Sequence, residues 1–324
     1  MGAVATTDAA PVTPRPRSES LPAGRRRPAL ARATPYLLIA PACLVLAGVL
    51  GYPLLNMVAV SLQRYGLGQL IAHRGNFIGL GNYTSLARDP QFWGVVLRSL
   101  AFTAVVVSVT VALATLIALL LERMSRPMRM LLTGGLVLVW ATPVIVAVDL
   151  WQWMFDYEFG VVNWLLTFLR LGNFIHHNWY ARPIEGFTVI AIVVIWGALP
   201  FAAITLFAGL SQVPSELVES AEVDGASGFQ VFRNITVPIL RPIFLIVTSL
   251  SIIWDFEVFI QPYVLLNARP SGPFMTMAVF MYVESFRVSQ YGLGSAIAVV
   301  TVALLLAASF YYVRQMVELA EAPA

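Results

Sequence analysis

The sequence holds 324 residues, 59% of them apolar or aromatic and only 11% charged, against roughly 45–50% and about 25% in soluble domains. One water-soluble core cannot absorb that excess, so much of the apolar surface faces lipid, and at about 20 residues per span six crossings fit. All 20 basic residues are Arg, which excludes a Gly-Lys-Ser/Thr phosphate loop and any Lys Schiff base. The single cysteine, Cys43, rules out an intrachain disulfide. His73, His176 and His177 lack metal-ligand spacing, and the adjacent pair reads as loop. The net charge of +3 comes from Arg flanking apolar segments, so it points to membrane topology before nucleic acid.

Residues 1–34, rich in Pro, Ala and Arg without apolar periodicity, are expected to form a disordered tail; residues 35–324 are expected to form one six-span domain. Apolar stretches run from Tyr36 to Leu62, Val95 to Leu121, Leu131 to Phe155, Phe187 to Leu210, Ile243 to Leu266 and Leu293 to Val313. The first has features of a cleaved signal, with a basic tail before it and a small residue before Cys43. Its length and Pro41 favour an uncleaved span. With the tail inside, twelve Arg fall on the cytoplasmic side and eight outside, as the positive-inside rule expects. Both termini are then cytoplasmic.

Between the fourth and fifth spans, residues 213–242 are too patterned for a simple connector. Ser215 is placed to cap a helix whose first turns carry Glu216 and Glu219, where the helix dipole favours acids. Gly225 suits the left-handed residue that ends it, and Ser227 with Gln230 makes a capping box for a second helix, which Pro238 and Pro242 are expected to stop. Leu217, Val218 and Ala221 form one apolar face, and Phe229, Phe232 and Ile235 another. One reading of the pattern is an amphipathic connector lying on the membrane surface.

The same stretch resembles the EAA loop of membrane subunits of binding-protein-dependent ABC importers. Glu219, Ala221, Asp224, Gly225, Ala226, Phe232, Ile235, Pro238 and Pro242 match that pattern, and Ser220 replaces its first Ala. The resemblance implies an all-α membrane protein of six transmembrane helices, with a cytoplasmic coupling helix-turn-helix between the fourth and fifth. It also implies that Glu219, Ala221, Asp224, Gly225, Ala226, Phe229 and Phe232 couple to a separate ATPase by a helix-in-groove contact. The chain itself would then need no catalysis and no cofactor, with ATP and Mg on the partner.

Flanking segments are similar to the first permease subunit of maltose- and glycerol-phosphate-type importers. They are Phe77-Ile-Gly-Leu-Gly-Asn-Tyr83, Asp89-Pro-Gln-Phe-Trp93, Gly160 with Asn163, and Tyr291-Gly-Leu-Gly-Ser-Ala-Ile297; Arg98-Ser99 stands where that branch often has Asn-Thr. This branch implies a sugar substrate, a second permease, two copies of a cytoplasmic ATPase, an extracytoplasmic sugar-binding protein and a bacterial inner membrane. Charged groups at membrane depth line cavities or pair, which singles out Asp149, Asp255 and Glu257. On a continuous helix Asp255 shares a face with Ser251, and Glu257 with Trp254 and Gln261. The resemblance places Ser251 and Asp255 at sugar-bonding positions, Trp140 at a sugar-contacting aromatic before Pro143, and Gly197 and Ala198 in a turn, Trp196 to Pro200, beside the solute. Other functions left open are an ion-coupled secondary transporter and an ABC permease for a non-sugar solute.

Overall fold

In a computed structural model the protein is almost wholly helical; apart from Gly2, residues 29–321 are described, with side chains over 37–319. Chain contacts divide it at Pro53 into two units. The first holds α1 (Ala29–Leu46) and a π turn, Ala47–Gly51. The helix runs on as α2 (Tyr52–Ser61), so that Leu37–Ser61 is 25 residues long and apolar enough to cross a membrane. Ala29 to Thr34, expected in the tail, are therefore helical; the rest of that expected tail, Gly2 apart, lies outside the described residues.

The second unit opens with a small cap. β1 (Gln63–Arg64) pairs antiparallel with β2 (Asn76–Phe77), with α3 (Leu67–Ala72) between them and α4 (Gly81–Arg88) after. Asn82 Nδ2 clamps the turn by donating to the Ser61 and Gln63 carbonyls at 2.7 and 2.9 Å. Asp89, accepting the Gln91 N–H at 2.9 Å, and Pro90 then start α5 (Pro90–Arg123), since Pro at a first helical position loses no needed donor. Arg98 and Ser99 explain their own place in the sequence. Arg98 donates to the Gly272 and Met275 carbonyls at 2.9 and 2.8 Å, and Ser99 Oγ accepts the Met277 N–H at 2.9 Å, pinning residues 272–277 to α5.

Three apolar layers succeed one another along α5. Phe92, Val95 and Val96 pack with Phe280 and Ile297; Phe102 and Val106 with Ile190 and Val194; Ala114 and Ala118 with Ala202, Ala203 and Leu206. The order shows that α9 (Pro183–Leu210) runs parallel to α5. Small residues in the third layer let the two backbones approach closely, as membrane helices without a hydrophobic drive between them require. Arg129 closes the lower end of α5, donating to the carbonyls of Leu121, Glu122 and Met124 at 2.8, 3.1 and 3.1 Å and lying 5.3 Å from the Phe207 ring centre. A cation at a helix C-terminus also meets the dipole favourably.

The third expected span is not one helix. α6 (Arg126–Ala141) and α7 (Val144–Met154) meet at 98° across Thr142 and Pro143. Pro143 has no N–H, and its ring drives Thr142 out of the helical region, to φ −70°, ψ 127°. The loop after α7 carries α8 (Val161–Phe168). It is tied by buried Asn163, which donates to the Asp156 and His177 carbonyls at 3.2 and 3.1 Å and accepts from Trp179 Nε1 at 2.6 Å. Gly160 sits where a Cβ would lie 2.3 Å from the Asp156 carbonyl oxygen. His177 contacts Glu185 at 3.0 Å, in a loop as expected.

α10 (Ser215–Val223) and α11 (Gly228–Val231) follow α9. Pro238 and Pro242 do not stop the second helix: α11 runs through a π turn, Phe232–Thr236, straight into α12 (Val237–Phe256). The wide turn, with the Val237 N–H on the Phe232 carbonyl, makes room for the Pro238 ring within a continuous rod. The chain closes with α13 (Ile260–Leu265), α14 (Met277–Tyr282) and α15 (Tyr291–Glu321). Among the described residues five helices are long and apolar enough to span, and the number is six if the bent α6–α7 pair is one span.

Candidate functional site

Two places in the second unit carry the sequence candidates. The first is the turn from α10 to α11. Gly225 stands at φ +84°, and around it the Ala226 N–H reaches the Ala221 carbonyl at 2.9 Å while the Gly225 N–H reaches that of Glu222 at 3.0 Å. This nested pair satisfies the orphan carbonyls of α10. Ser227 and Gln230 form the capping box in both directions. Ser215 does not cap α10: Pro214 occupies the cap position and Ser215 is the first helical residue, without a side-chain cap bond.

The turn presents Val223, 87% exposed, and Phe229, 70% exposed, with Asp224 and Gly225 exposed between them. Ala221, Ala226 and Phe232 are half-buried. Glu219, Phe229 and Phe232 also line a cleft of ≈ 610 Å³ shared with Leu116, Leu119 and Arg123 at the end of α5. Among the described residues none of the ion pairs involves this turn; the carboxylates of Glu216, Glu219, Glu222 and Asp224 are exposed, and Glu219 and Glu222 share their cleft with Arg123.

The second place is a cavity of ≈ 240 Å³ at the α6–α7 break, between α9 and the end of α12. Trp140, Gly197, Ala198 and Asp255 all line it, joined by Trp196, Trp254 and Gln261. Asp255 is 5% exposed, and its Oδ2 has no hydrogen-bond partner among the described residues. No Arg or His lines the cavity. A carboxylate without partners at that depth costs several kcal/mol, which a bound donor would offset. Trp196 to Pro200 is helical rather than a turn. Pro200 has no N–H for the Trp196 carbonyl, so the regular hydrogen-bond ladder of α9 is interrupted beside the cavity.

Ser251, Asp149 and Glu257 do not line this cavity. Ser251 is buried one turn before Asp255, Asp149 is exposed beside a second cavity, and Glu257 is exposed at the C-cap of α12. The face expected to join Glu257 with Trp254 and Gln261 does not exist because α12 ends at Phe256.

Residues 110–319 match the family described as "Binding-protein-dependent transport system inner membrane component". The chain belongs to this family. It is 39% identical to the diacetylchitobiose uptake system permease protein DasB of Streptomyces coelicolor, over 90% of both chains. It is 31% identical to the trehalose/maltose transport system permease protein MalF of Thermococcus litoralis, over 86% of this chain and 92% of that one. Its fold is that of a chain in a bacterial alginate ABC transporter crystallised with an alginate pentasaccharide-bound periplasmic protein, with TM-score 0.75, 17% identity, and 91% and 98% of the two chains covered.

This permease is thus an integral inner-membrane transport component and not an enzyme. Two cavity residues, Trp254 and Gln261, stand apart from the acid that helical periodicity grouped with them. The signal for their true position is Pro262. With no N–H there, the Val258 carbonyl loses its helical donor and instead accepts from Thr276 Oγ1 at 3.1 Å, which fixes the break between α12 and α13.

Proposed function

We propose that this permease is one of two membrane subunits of an ATP-driven importer of oligosaccharides, with Asp255 and its surrounding indoles holding the solute. The observation that carries the saccharide assignment is the buried, unpartnered Asp255 Oδ2 among Trp140, Trp196 and Trp254. A carboxylate accepts hydrogen bonds from hydroxyls while indoles cover the C–H faces of a sugar ring. The relatives named for diacetylchitobiose and for trehalose/maltose support the same substrate class.

The α10–α11 turn docks into a cleft of a cytoplasmic ATPase, two copies of which serve the two permeases. Its outward apolar pair Val223 and Phe229 and its exposed acids, which form no ion pair among the described residues, fit an apolar cleft with a basic rim. Both termini are cytoplasmic on the Arg count. An extracytoplasmic binding protein delivers sugar at the opposite face. Alternation follows from the different affinities of ATP and loaded binding protein for the two states of the permease pair. ATP and Mg sit on the partner, and this chain supplies no cofactor site.

The test is reconstitution of the complex with its ATPase and binding protein, and measurement of ATP hydrolysis with the binding protein loaded by each of a panel of sugars. Stimulation by a saccharide is expected. Uptake that persists without the ATPase and collapses with an ion gradient would overturn the assignment in favour of secondary transport, and stimulation by a non-sugar solute alone would overturn the substrate class.

A further inference from the structure

Between α5 and α9, toward the end of the bundle opposite the α10–α11 turn, lies a groove of ≈ 510 Å³. Because the two helices run parallel, it is a lengthwise trench. Ala101 and Val105 of α5 and Ile184, Ala191 and Ile195 of α9 line it, and the lining stretch of α9 from Pro183 to Ile195 measures about 18 Å. That is close to one leaflet's share, about 15 Å, of the hydrocarbon layer. The trench opens outward, with Ile184 82% and Val105 58% exposed.

A single charged group stands at its head. Arg98 is the charged residue in the lining, and from Ser99 to Leu121 α5 carries none, a run of about 35 Å. Such a run fills the hydrocarbon layer of about 30 Å, which puts Arg98 at its boundary, at the level of lipid phosphates. Nη1 is spent on the Gly272 and Met275 carbonyls. Nη2 reaches no acceptor among the described residues, and it lies back toward the start of α5, 3.9 Å from where a Cβ on Gly94 would stand. No carboxylate compensates the charge: among the described residues Arg98 makes no ion pair. Glu185, in the first turn of α9, is turned to His177 and Arg182 at 3.0 and 3.3 Å. Thr188, the other polar side chain in the lining, donates to the Ile184 carbonyl at 2.8 Å. A cation at membrane depth calls for an anionic partner, and the free edge of a guanidinium matches phosphate oxygens.

We infer that this groove is a binding site for an anionic phospholipid, with one acyl chain lying between α5 and α9 and the phosphate held by Arg98. The apolar trench accepts an acyl chain of any lipid, and Arg98 selects by headgroup charge. The groove shares no lining residue with the cavity at Asp255, so the inference stands apart from the solute assignment.

The test places a photo-crosslinking p-benzoylphenylalanine at Ile192, an exposed position in the groove, in the assembled transporter reconstituted in vesicles of phosphatidylglycerol with excess phosphatidylethanolamine. Mass spectrometry of the adducts is expected to show lipid. Phosphatidylglycerol should be enriched about fivefold over its share of the vesicle, the effect of one basic side chain on an anionic headgroup. Arg98→Gln should return the ratio to that of the vesicle. Because Arg98 also pins residues 272–277, Ala101→Trp supplies an independent arm. It fills the groove from an exposed position, keeps Arg98, and is expected to remove the lipid adduct. Adducts with another polypeptide, or lipid adducts in the vesicle ratio in the otherwise unsubstituted protein, would overturn the site. So would enrichment that survives Arg98→Gln, or a lipid adduct that survives Ala101→Trp.

Discussion

The α10–α11 turn and the cavity at Asp255 are built in opposite ways. The turn takes its shape from a dozen consecutive residues: Gly225 supplies the positive φ, Ala226 and Gly225 donate back to Ala221 and Glu222, and Ser227 and Gln230 cap each other. The cavity takes its shape from five separate helices, and the decisive events are three departures from regularity. α6 breaks at Pro143, α9 loses a hydrogen bond at Pro200, and α12 ends ahead of Pro262. A contact surface that must present one fixed knob is specified locally, and a binding space that must open between helices is specified by where those helices fail.

Substitutions can break that contrast, beginning with the largest effect. Gly225→Pro forces φ toward about −65° where +84° is needed, and it removes a donor to Glu222. It is expected to abolish uptake while fractionation shows normal membrane insertion; normal uptake would mean the turn is not the coupling element. Asp255→Asn keeps the cavity's shape and loses the charge. A hydrogen bond to a charged group is worth about 1.5–3 kcal/mol, so kcat/KM for uptake should fall about 10- to 100-fold, and an unchanged value would remove Asp255 from the solute path. Ser227→Ala loses a cap worth about 1 kcal/mol. It should speed amide exchange in α11 about fivefold with only a small loss of uptake; equal protection in both proteins would show that the cap is redundant. Glu257→Gln, at an exposed C-cap outside both cavities, should change uptake less than about twofold, and a larger loss would return Glu257 to the pathway.

The two regions also differ in how far the amino-acid sequence discloses them. Gly225, Ser227 and Gln230 act within their own segment, so residue type and spacing were enough to place them. Trp140, Gly197 and Ala198 were indicated by family likeness alone, and Asp255 by its charge within an apolar span as well as by that likeness; all four line one cavity. Helical periodicity misplaced Trp254 and Gln261 because it assumed a helix running past Phe256, while the break depends on Thr276 capturing the Val258 carbonyl from 18 residues away. Pro238 and Pro242 misled in a related way. A proline marks a missing donor, yet whether a helix starts, bends or widens around it is decided by its neighbours, as the π turn before Pro238 shows.

The 98° corner at Thr142 and Pro143 constrains the surroundings of the chain as well as its interior. At about 1.5 Å per residue, the 16 residues of α6 and the 11 of α7 each fall short of the about 30 Å hydrocarbon layer. The first amides of α7 have no side-chain cap, and such groups are not tolerated against acyl chains. Acyl chains against that flank would leave those amides unsatisfied, so the corner beside Trp140 and the cavity calls for water or another polypeptide there instead of lipid.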